Sequence, residues 1–179
     1  MFVRIKRIKG KEYAYLVNNE WTDRGPRQKT VAYLGRAISI PNGKVDEGLL
    51  KLPENVDEME YKEIVEHAIR ENLKAAGFRE EDKELVLEEE GIKYLPEKRD
   101  FLKNKRRVCL KLNEGIMCNF TLEKLLQFER TGEDRRDILL FAEAIVGSGI
   151  KLTKEIFVKL FTKLPKPEME VQRLDEFEY

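Results

Sequence analysis

The residues best suited to chemistry in this sequence are cations clustered near its start. The first 36 residues carry nine Lys or Arg against three Asp or Glu, with aromatic residues interleaved. Lys and Arg neutralise phosphates and release counterions, while aromatic rings stack on unpaired bases. The pattern predicts a surface that binds DNA or RNA. The predicted contact residues are Arg4, Lys6, Arg7, Lys9, Lys11, Trp21, Arg24, Arg27, Lys29 and Arg36.

The same residues also have a purely structural interpretation. Tyr13, Tyr15 and Tyr33 would then pack across neighbouring strands, and the cations would keep an exposed sheet in water and protect its edges. A second cationic stretch, Lys98 to Lys111, carries two alternatives as well. It either extends the first cationic surface or neutralises the acidic first helix, which lies in segment 54–90 with its fourteen Asp or Glu against five Lys or Arg.

Residues suited to catalysis or metal binding are scarce. His67 is the one histidine, so it would have to serve as the base of any Ser-His-Asp triad. Cys109 and Cys118 lack the paired spacing of a zinc site. Runs such as Glu88-Glu89-Glu90 are typical of a solvated face. We therefore expect no catalytic residue, metal site or cofactor and a protein that is not an enzyme, with a metal-dependent nuclease as the remaining enzymatic alternative.

The two cysteines lie on opposite arms of a predicted hairpin, Arg107–Leu112 and Ile116–Phe120. A three-residue turn would point the thiols to opposite faces, and a two-residue turn would make them diagonal neighbours. Diagonal neighbours lie about 7–8 Å apart, beyond easy disulfide reach. We expect two reduced thiols.

The elements that must position the cations belong to a mixed α+β fold. Alternation over Phe2–Ile8, Glu12–Val17 and Lys29–Leu34 predicts a three-stranded antiparallel meander within residues 1–36. A connecting loop over 37–53, an α+β body over 54–164 and an acidic, flexible tail over 165–179 are predicted to follow. In the body we expect a helix, a further β-hairpin region and C-terminal helices.

Helical spacing and caps place the predicted helices. The first runs from Asp57 to Ala76, and the next is Leu122–Arg130 with Thr121 as its cap. Thr131 or Asp134 caps a third, and Thr153 caps the last, which ends before Pro165. The third helix is expected to turn Ile138, Leu139, Ala142, Ile145 and Val146 inward. An alternative function is a protein-interaction or structural module, in which the first or last helix binds a partner or the C-terminal helices self-associate.

Composition adds expectations about source and location. Charged residues make up 38% of the 179, and Lys, Arg and Glu dominate them, as in proteins adapted to high temperature. No apolar run approaches the length of a membrane span, and the first residues mix cations with apolar side chains, unlike a signal peptide. We expect a cytoplasmic protein from a thermophile with no membrane partner.

The opening segment resembles a known module. The strings MFVRIKRIKGKEYAYLV, residues 1–17, and RQKTVAYLGR, residues 27–36, are similar to the opening of certain insertion-sequence transposases. In that family the segment precedes a catalytic domain with three metal-binding carboxylates, and the resemblance implies DNA binding. Nothing after residue 36 resembles the transposase core, so no carboxylate is assigned a catalytic role. The whole chain looks like a stand-alone archaeal protein with this opening module.

Overall fold

The computed structural model describes residues 1–23, 25–41 and 53–164. Within these ranges the chain is mixed α+β, with nine strands in one sheet and four α-helices. The strands are β1 Phe2–Ile8, β2 Lys11–Thr22, β3 Gly25–Ser39, β4 Arg79–Glu81, β5 Glu84–Leu87, β6 Ile92–Leu95, β7 Asp100–Lys103, β8 Arg106–Leu112 and β9 Gly115–Met117. The helices are α1 Tyr61–Ala75, α2 Asn119–Leu126, α3 Asp134–Gly147 and α4 Lys154–Lys163.

The predicted meander is confirmed as β1, β2 and β3, paired antiparallel in chain order. At its far side β3 pairs in parallel with β8, and Arg36 lies opposite Val108. This pairing carries β3 on to Ser39, so residues 37–39 are strand where we predicted the start of a connecting loop. Residues 42–52 of that loop and the predicted tail 165–179 lie outside the described residues.

The rest of the sheet is a run of antiparallel strands in the order β8-β7-β6-β5-β4, and β9 pairs with β8. The predicted hairpin region is therefore larger than expected. Strands β4 and β7 were missed because both are short, three and four residues long, with little apolar alternation. So short a strand has a weak sequence pattern, and whether it forms depends on the strands with which it pairs.

Three helix starts differ from the prediction. Helix α3 begins at Asp134 with Glu133 as its N-cap, so neither Thr131 nor Asp134 caps it. Helix α1 begins at Tyr61 rather than at Asp57, and Glu60 and Glu63 form a capping box at its start. Helix α2 begins at Asn119 rather than at Leu122. The Thr121 hydroxyl, predicted as its cap, lies inside the helix and donates to the Ile116 carbonyl at 2.7 Å. Strand β9 therefore ends at Met117, and the predicted Phe120 strand end is helical.

The two faces of the sheet carry separate cores. On β8, Val108, Leu110 and Leu112 belong to the main core beneath the helices. Cys109, which alternates with them, packs with Ala14 and Cys118 in a small core on the other face. Alternate residues of a strand point to opposite faces, so the meander shares one sheet with the body but is backed by its own core.

The cysteine prediction is corrected by the turn. Leu112 pairs with Gly115, which leaves a two-residue turn at Asn113 and Glu114. Continuing this register places Cys109 and Cys118 directly opposite each other, not diagonally. Both are free, buried thiols.

Helix α3 is rotated relative to the prediction. Its buried side contains Phe141, whose ring lies 5.2 Å from the ring of Phe128 and 5.4 Å from that of Phe157. Ile145 is buried as predicted, but Ile138, Leu139 and Val146 are exposed. An aromatic ring buries more surface than an aliphatic side chain, so Phe141 decides which side of the helix faces the core.

Candidate nucleic-acid interface

Three tyrosines of the meander lie on one side of the sheet. Tyr13 on β2 is directly opposite Arg36 on β3, and Tyr15 is directly opposite Tyr33. Directly opposed residues of antiparallel strands project to the same face. The β1–β2 register adds the cations paired with these tyrosines. We call this side the tyrosine face, and its members are Arg4, Lys6, Tyr13, Tyr15, Tyr33 and Arg36.

The Tyr33 ring contacts the rings of both Tyr13 and Tyr15, and it is exposed to solvent whereas those two are half-buried. The Tyr33 ring centroid lies 6.3 Å from that of Tyr13 and 5.4 Å from that of Tyr15, and Tyr33 is 57% exposed. Lys6 Nζ lies 4.9 Å from the centroid of the Tyr15 ring, within cation–π range. Partial burial, together with the neighbouring phenols of Tyr13 and Tyr15, raises the pKa of Tyr33. The phenol therefore stays neutral around an anionic ligand.

A cleft opens beside this face, between the meander and the turn that joins β7 to β8. We call it the cationic cleft, and its volume is about 520 Å³. Its lining consists of Lys11, Tyr13, Tyr33, Arg36, Ile38, Lys103, Asn104, Arg106, Arg107 and Val108. Five of these residues are Lys or Arg, and none of the lining residues is acidic. Such a concave, one-signed surface focuses an attractive field on anions.

Two of the five cations are neutralised by neighbours. Lys103 Nζ lies 2.9 Å from a Glu90 carboxylate oxygen, and Arg107 Nη2 lies 2.7 Å from Asp100 Oδ2. The other three, Lys11, Arg36 and Arg106, have no ion-pair partner in the described part of the chain. Those three are exposed and free to meet an anionic ligand.

Local backbone geometry explains why the cations converge. Asn104 and Lys105 have positive φ values of 50° and 61°, which is the geometry of a two-residue hairpin turn. This tight turn holds Lys103 opposite Arg106 and presents both beside the meander. Gly35 has a φ of 132°, and a Cβ there would lie 2.6 Å from the Arg107 carbonyl oxygen. Only glycine allows β3 to approach β8 so closely beside Arg36.

The structure brings four of the predicted contact residues together. Arg4 and Lys6 lie on the tyrosine face, where the Arg4 guanidinium donates to Gln28 and Lys6 Nζ donates to Thr30 Oγ1 at 3.5 Å. These hydrogen bonds hold the two side chains across β2. The other two, Lys11 and Arg36, line the cationic cleft.

Other predicted residues lie away from this surface. Arg7 is opposite Glu12 on β2, and Arg27 is opposite Glu20, both on the reverse side from the tyrosines. Lys29 shares that side and pairs with Glu20 at 3.3 Å. Lys9 occupies the β1–β2 turn with a φ of 47°. The eight cations of the opening segment that the structure describes are therefore divided between two faces of the sheet and the β1–β2 turn.

Trp21 stands near the end of the long β2–β3 hairpin, opposite Pro26. Its side chain is 85% exposed, the most exposed large hydrophobic residue in the described part of the chain. It alternates with Tyr13 and Tyr15 along β2, so it projects to their side. Arg24, the remaining predicted contact residue, lies outside the described residues.

Both interpretations of the second cationic stretch hold in part. Arg99 contacts Glu66 on α1 at 3.4 Å and Glu123 on α2 at 2.7 Å, so it neutralises acidic helices. Its neighbours at the β7–β8 turn instead join the cationic cleft. The cleft residues that the predicted contact set omitted are Tyr13, Tyr33, Ile38, Lys103, Asn104, Arg106, Arg107 and Val108. Tyr13 and Tyr33 could have been found from the sequence, because Tyr13 and Tyr15 alternate along one predicted strand and Tyr33 lies on the strand expected to pair with it.

Other chemistry has little support in the described residues. They contain no group of three or more His, Cys, Asp or Glu able to hold a metal ion. No helix among them is both long and apolar enough to cross a bilayer.

Comparison with known proteins gives no related protein from which a role for this interface could be inferred. The similarity of the opening segment to transposases stays a prediction, and the geometry above carries the functional argument. No family model, curated protein or solved structure matches the chain.

Proposed function

We propose that this chain is a non-enzymatic nucleic-acid-binding protein that binds its ligand with the tyrosine face and the cationic cleft. The observation that carries the proposal is the contact of three tyrosine rings beside three cations that lack an ion-pair partner in the described residues. A sheet surface that only has to remain solvated has no need for an exposed ring, Tyr33, clustered with two half-buried ones next to a cleft without acidic lining residues.

The phosphate contacts come from Lys11, Arg36 and Arg106. Each neutralised phosphate releases counterions, which makes affinity fall steeply with salt. Lys103 and Arg107 hold internal partners at 2.9 Å and 2.7 Å, so they supply background positive charge more than direct contacts. Arg4 and Lys6 extend the cationic surface along β1.

The base contacts come from the rings. Tyr33 offers its exposed face, and stacking on such a ring requires a base that is not paired inside a duplex. Trp21 offers a second ring at the far end of the hairpin. Tyrosines at one end of β2 and a tryptophan at the other favour an extended, single-stranded ligand that lies along the strand.

The test is a binding titration of the full chain across salt, with single- and double-stranded probes of DNA and of RNA. We expect binding at low ionic strength, with the logarithm of the binding constant falling linearly with the logarithm of the salt concentration. Undetectable binding at low salt, or binding that does not respond to salt, contradicts the proposal. Equal affinity for single and double strands would keep the phosphate contacts and reject the stacking role of Tyr33.

A further inference from the structure

Helix α3 presents apolar side chains on the side that faces away from the core. Leu139 is 66% exposed, Val146 53% and Ile138 41%. With Ala142 they recur at the three- and four-residue spacing of one helix face, while Phe141 is buried on the opposite side. We call these four residues, Ile138, Leu139, Ala142 and Val146, the α3 outer face.

Other apolar helix faces of the molecule are already in use. On α4, Ile156 and Leu160 are buried in the main core, and on α1 so are Ile64 and Leu73. The helices that the sequence suggested as docking elements therefore have their apolar faces covered by their own chain. The α3 outer face has no such cover in the described part of the chain.

The charges beside the α3 outer face indicate what covers it. Arg136 and Glu143 are two helical turns apart and lie along the same edge of the helix. The ion pair of Arg136 with Glu133 is a loose 3.9 Å between exposed side chains. Glu143 has no ion pair in the described residues.

These two charges complement each other in an antiparallel arrangement. Arg136 and Glu143 lie equally far, about one turn, on either side of the midpoint between Leu139 and Leu140. A two-fold axis through that midpoint brings Arg136 of one copy opposite Glu143 of another, twice. In a parallel arrangement the edge that carries Arg136 and Glu143 lies across from the other edge of the partner helix, so neither charge would meet its complement. Flanking charges of this kind set the orientation of paired helices.

We propose that a second copy of this chain covers the α3 outer face, with the two α3 helices antiparallel about a two-fold axis. The contact is isologous, since the same apolar residues and the same charge pair come from both copies. One pair of helices makes a small interface, so the dimer dissociates on dilution. This assembly uses a surface that the proposed nucleic-acid contacts do not.

Sedimentation velocity of the full chain over a range of concentrations tests the apolar contact. The wild type is expected to shift from monomer to dimer, and Leu139→Glu to stay monomeric at every concentration. Val158→Glu is the matched control, because Val158 is 51% exposed on α4 and lies outside the α3 outer face. It should dimerise like the wild type.

A strictly monomeric wild type overturns the proposal and leaves the face to a different partner. A dimer that survives Leu139→Glu, or that Val158→Glu disrupts equally, also overturns it. Circular dichroism confirms that each variant is folded, which is expected because the substituted side chains are exposed.

A charge exchange tests the orientation. Arg136→Glu alone and Glu143→Arg alone each place like charges opposite each other, and each should raise the dissociation constant at least about fivefold. An equimolar mixture of the two variants restores both attractive pairs in a heterodimer, as does the double variant in a homodimer. A mixture that stays as weak as the separate variants rejects the antiparallel arrangement. Acidic residues are favourable in a first helical turn, so Arg136→Glu does not endanger α3 itself.

Discussion

Tyr13 on β2 and Arg36 on β3 form a directly opposed cross-strand pair, and both line the cationic cleft. The aromatic ring and the cation are thus held side by side by the backbone register. In the proposed function, a base stacked on this ring would have its phosphate close to the guanidinium. The relationship links the two halves of the proposed function, stacking and charge neutralisation, in one pair of residues.

Removing cations from the cationic cleft should weaken binding in a salt-dependent way. We expect Arg36→Glu and Arg106→Glu each to lower affinity for every nucleic-acid sequence and to reduce the salt slope by about one. The matched control is Arg79→Glu, an exposed cation on β4 at the opposite end of the strand order. Fluorescence anisotropy across salt measures the slopes, and equal losses for Arg79→Glu would reject a localised site.

Tyr33 separates stacking from hydrogen bonding. Tyr33→Ala should cost about 1–3 kcal/mol of binding free energy for a single strand, whereas Tyr33→Phe keeps the ring and most of the affinity. The side chain is 57% exposed, so neither change should unfold the protein. Loss of binding in Tyr33→Phe would show that the hydroxyl, not the ring face, makes the contact.

Gly35 should tolerate no side chain. A Cβ would meet the Arg107 carbonyl oxygen at 2.6 Å, and the φ of 132° is strained for any other residue. We expect Gly35→Ala to lower the free energy of unfolding by more than about 2 kcal/mol. Gly147→Ala is the control, because nothing lies within 4 Å of its Cβ position. Chemical denaturation of both variants measures the difference.

Asn72 is a buried polar residue on the inner side of α1, with a relative exposure of 0%. Its amide accepts from the Lys151 N–H at 2.9 Å and donates to the Lys151 carbonyl at 3.0 Å, which ties α1 to the segment before α4. Asn72→Leu removes both of these hydrogen bonds from the core and should cost about 2–3 kcal/mol of stability. Lys62→Ala, an exposed change on the same helix, should cost little in the same denaturation experiment.

The carboxyl group of Asp137 is expected to make the stability of the fold depend on pH. Burial alone would raise the pKa of this carboxyl, but hydrogen bonds from Thr131 and the Gly132 N–H outweigh it and hold the pKa below its ordinary value. A lowered folded pKa means that the carboxylate stabilises the fold above its unfolded pKa. This contribution is lost as the pH falls through the folded value.

The stability gap between the wild type and Asp137→Asn should therefore be wide at neutral pH and narrow in acid. Thermal unfolding at neutral pH and at about pH 3 measures it, since a free carboxyl titrates near pH 4. A gap that is equal at both pH values would show that the carboxylate charge is not what stabilises the turn before α3.

Much of the fold follows from local pattern. The meander was predictable because its alternation extends over long strands, and the register around Tyr13 follows from its short turns. Helix α4 was predictable because Thr153 accepts a hydrogen bond from Ile156 as an N-cap should. The side of α3 that is buried was not predictable, since Leu139 and Phe141 are both apolar and only the neighbouring aromatic residues select between them.

The sequence by itself determined the ingredients of the interface: a cationic opening segment, its tyrosines and their places on β2 and β3. The tertiary structure alone decided which cations join the tyrosines. Strand β3 carries register shifts relative to β2 beside Tyr33, so Arg36 turns toward the tyrosine face and Lys29 away from it, against simple alternation. The parallel pairing with β8 then brought Arg106 to the same cleft, across a sequence separation that no local pattern spans.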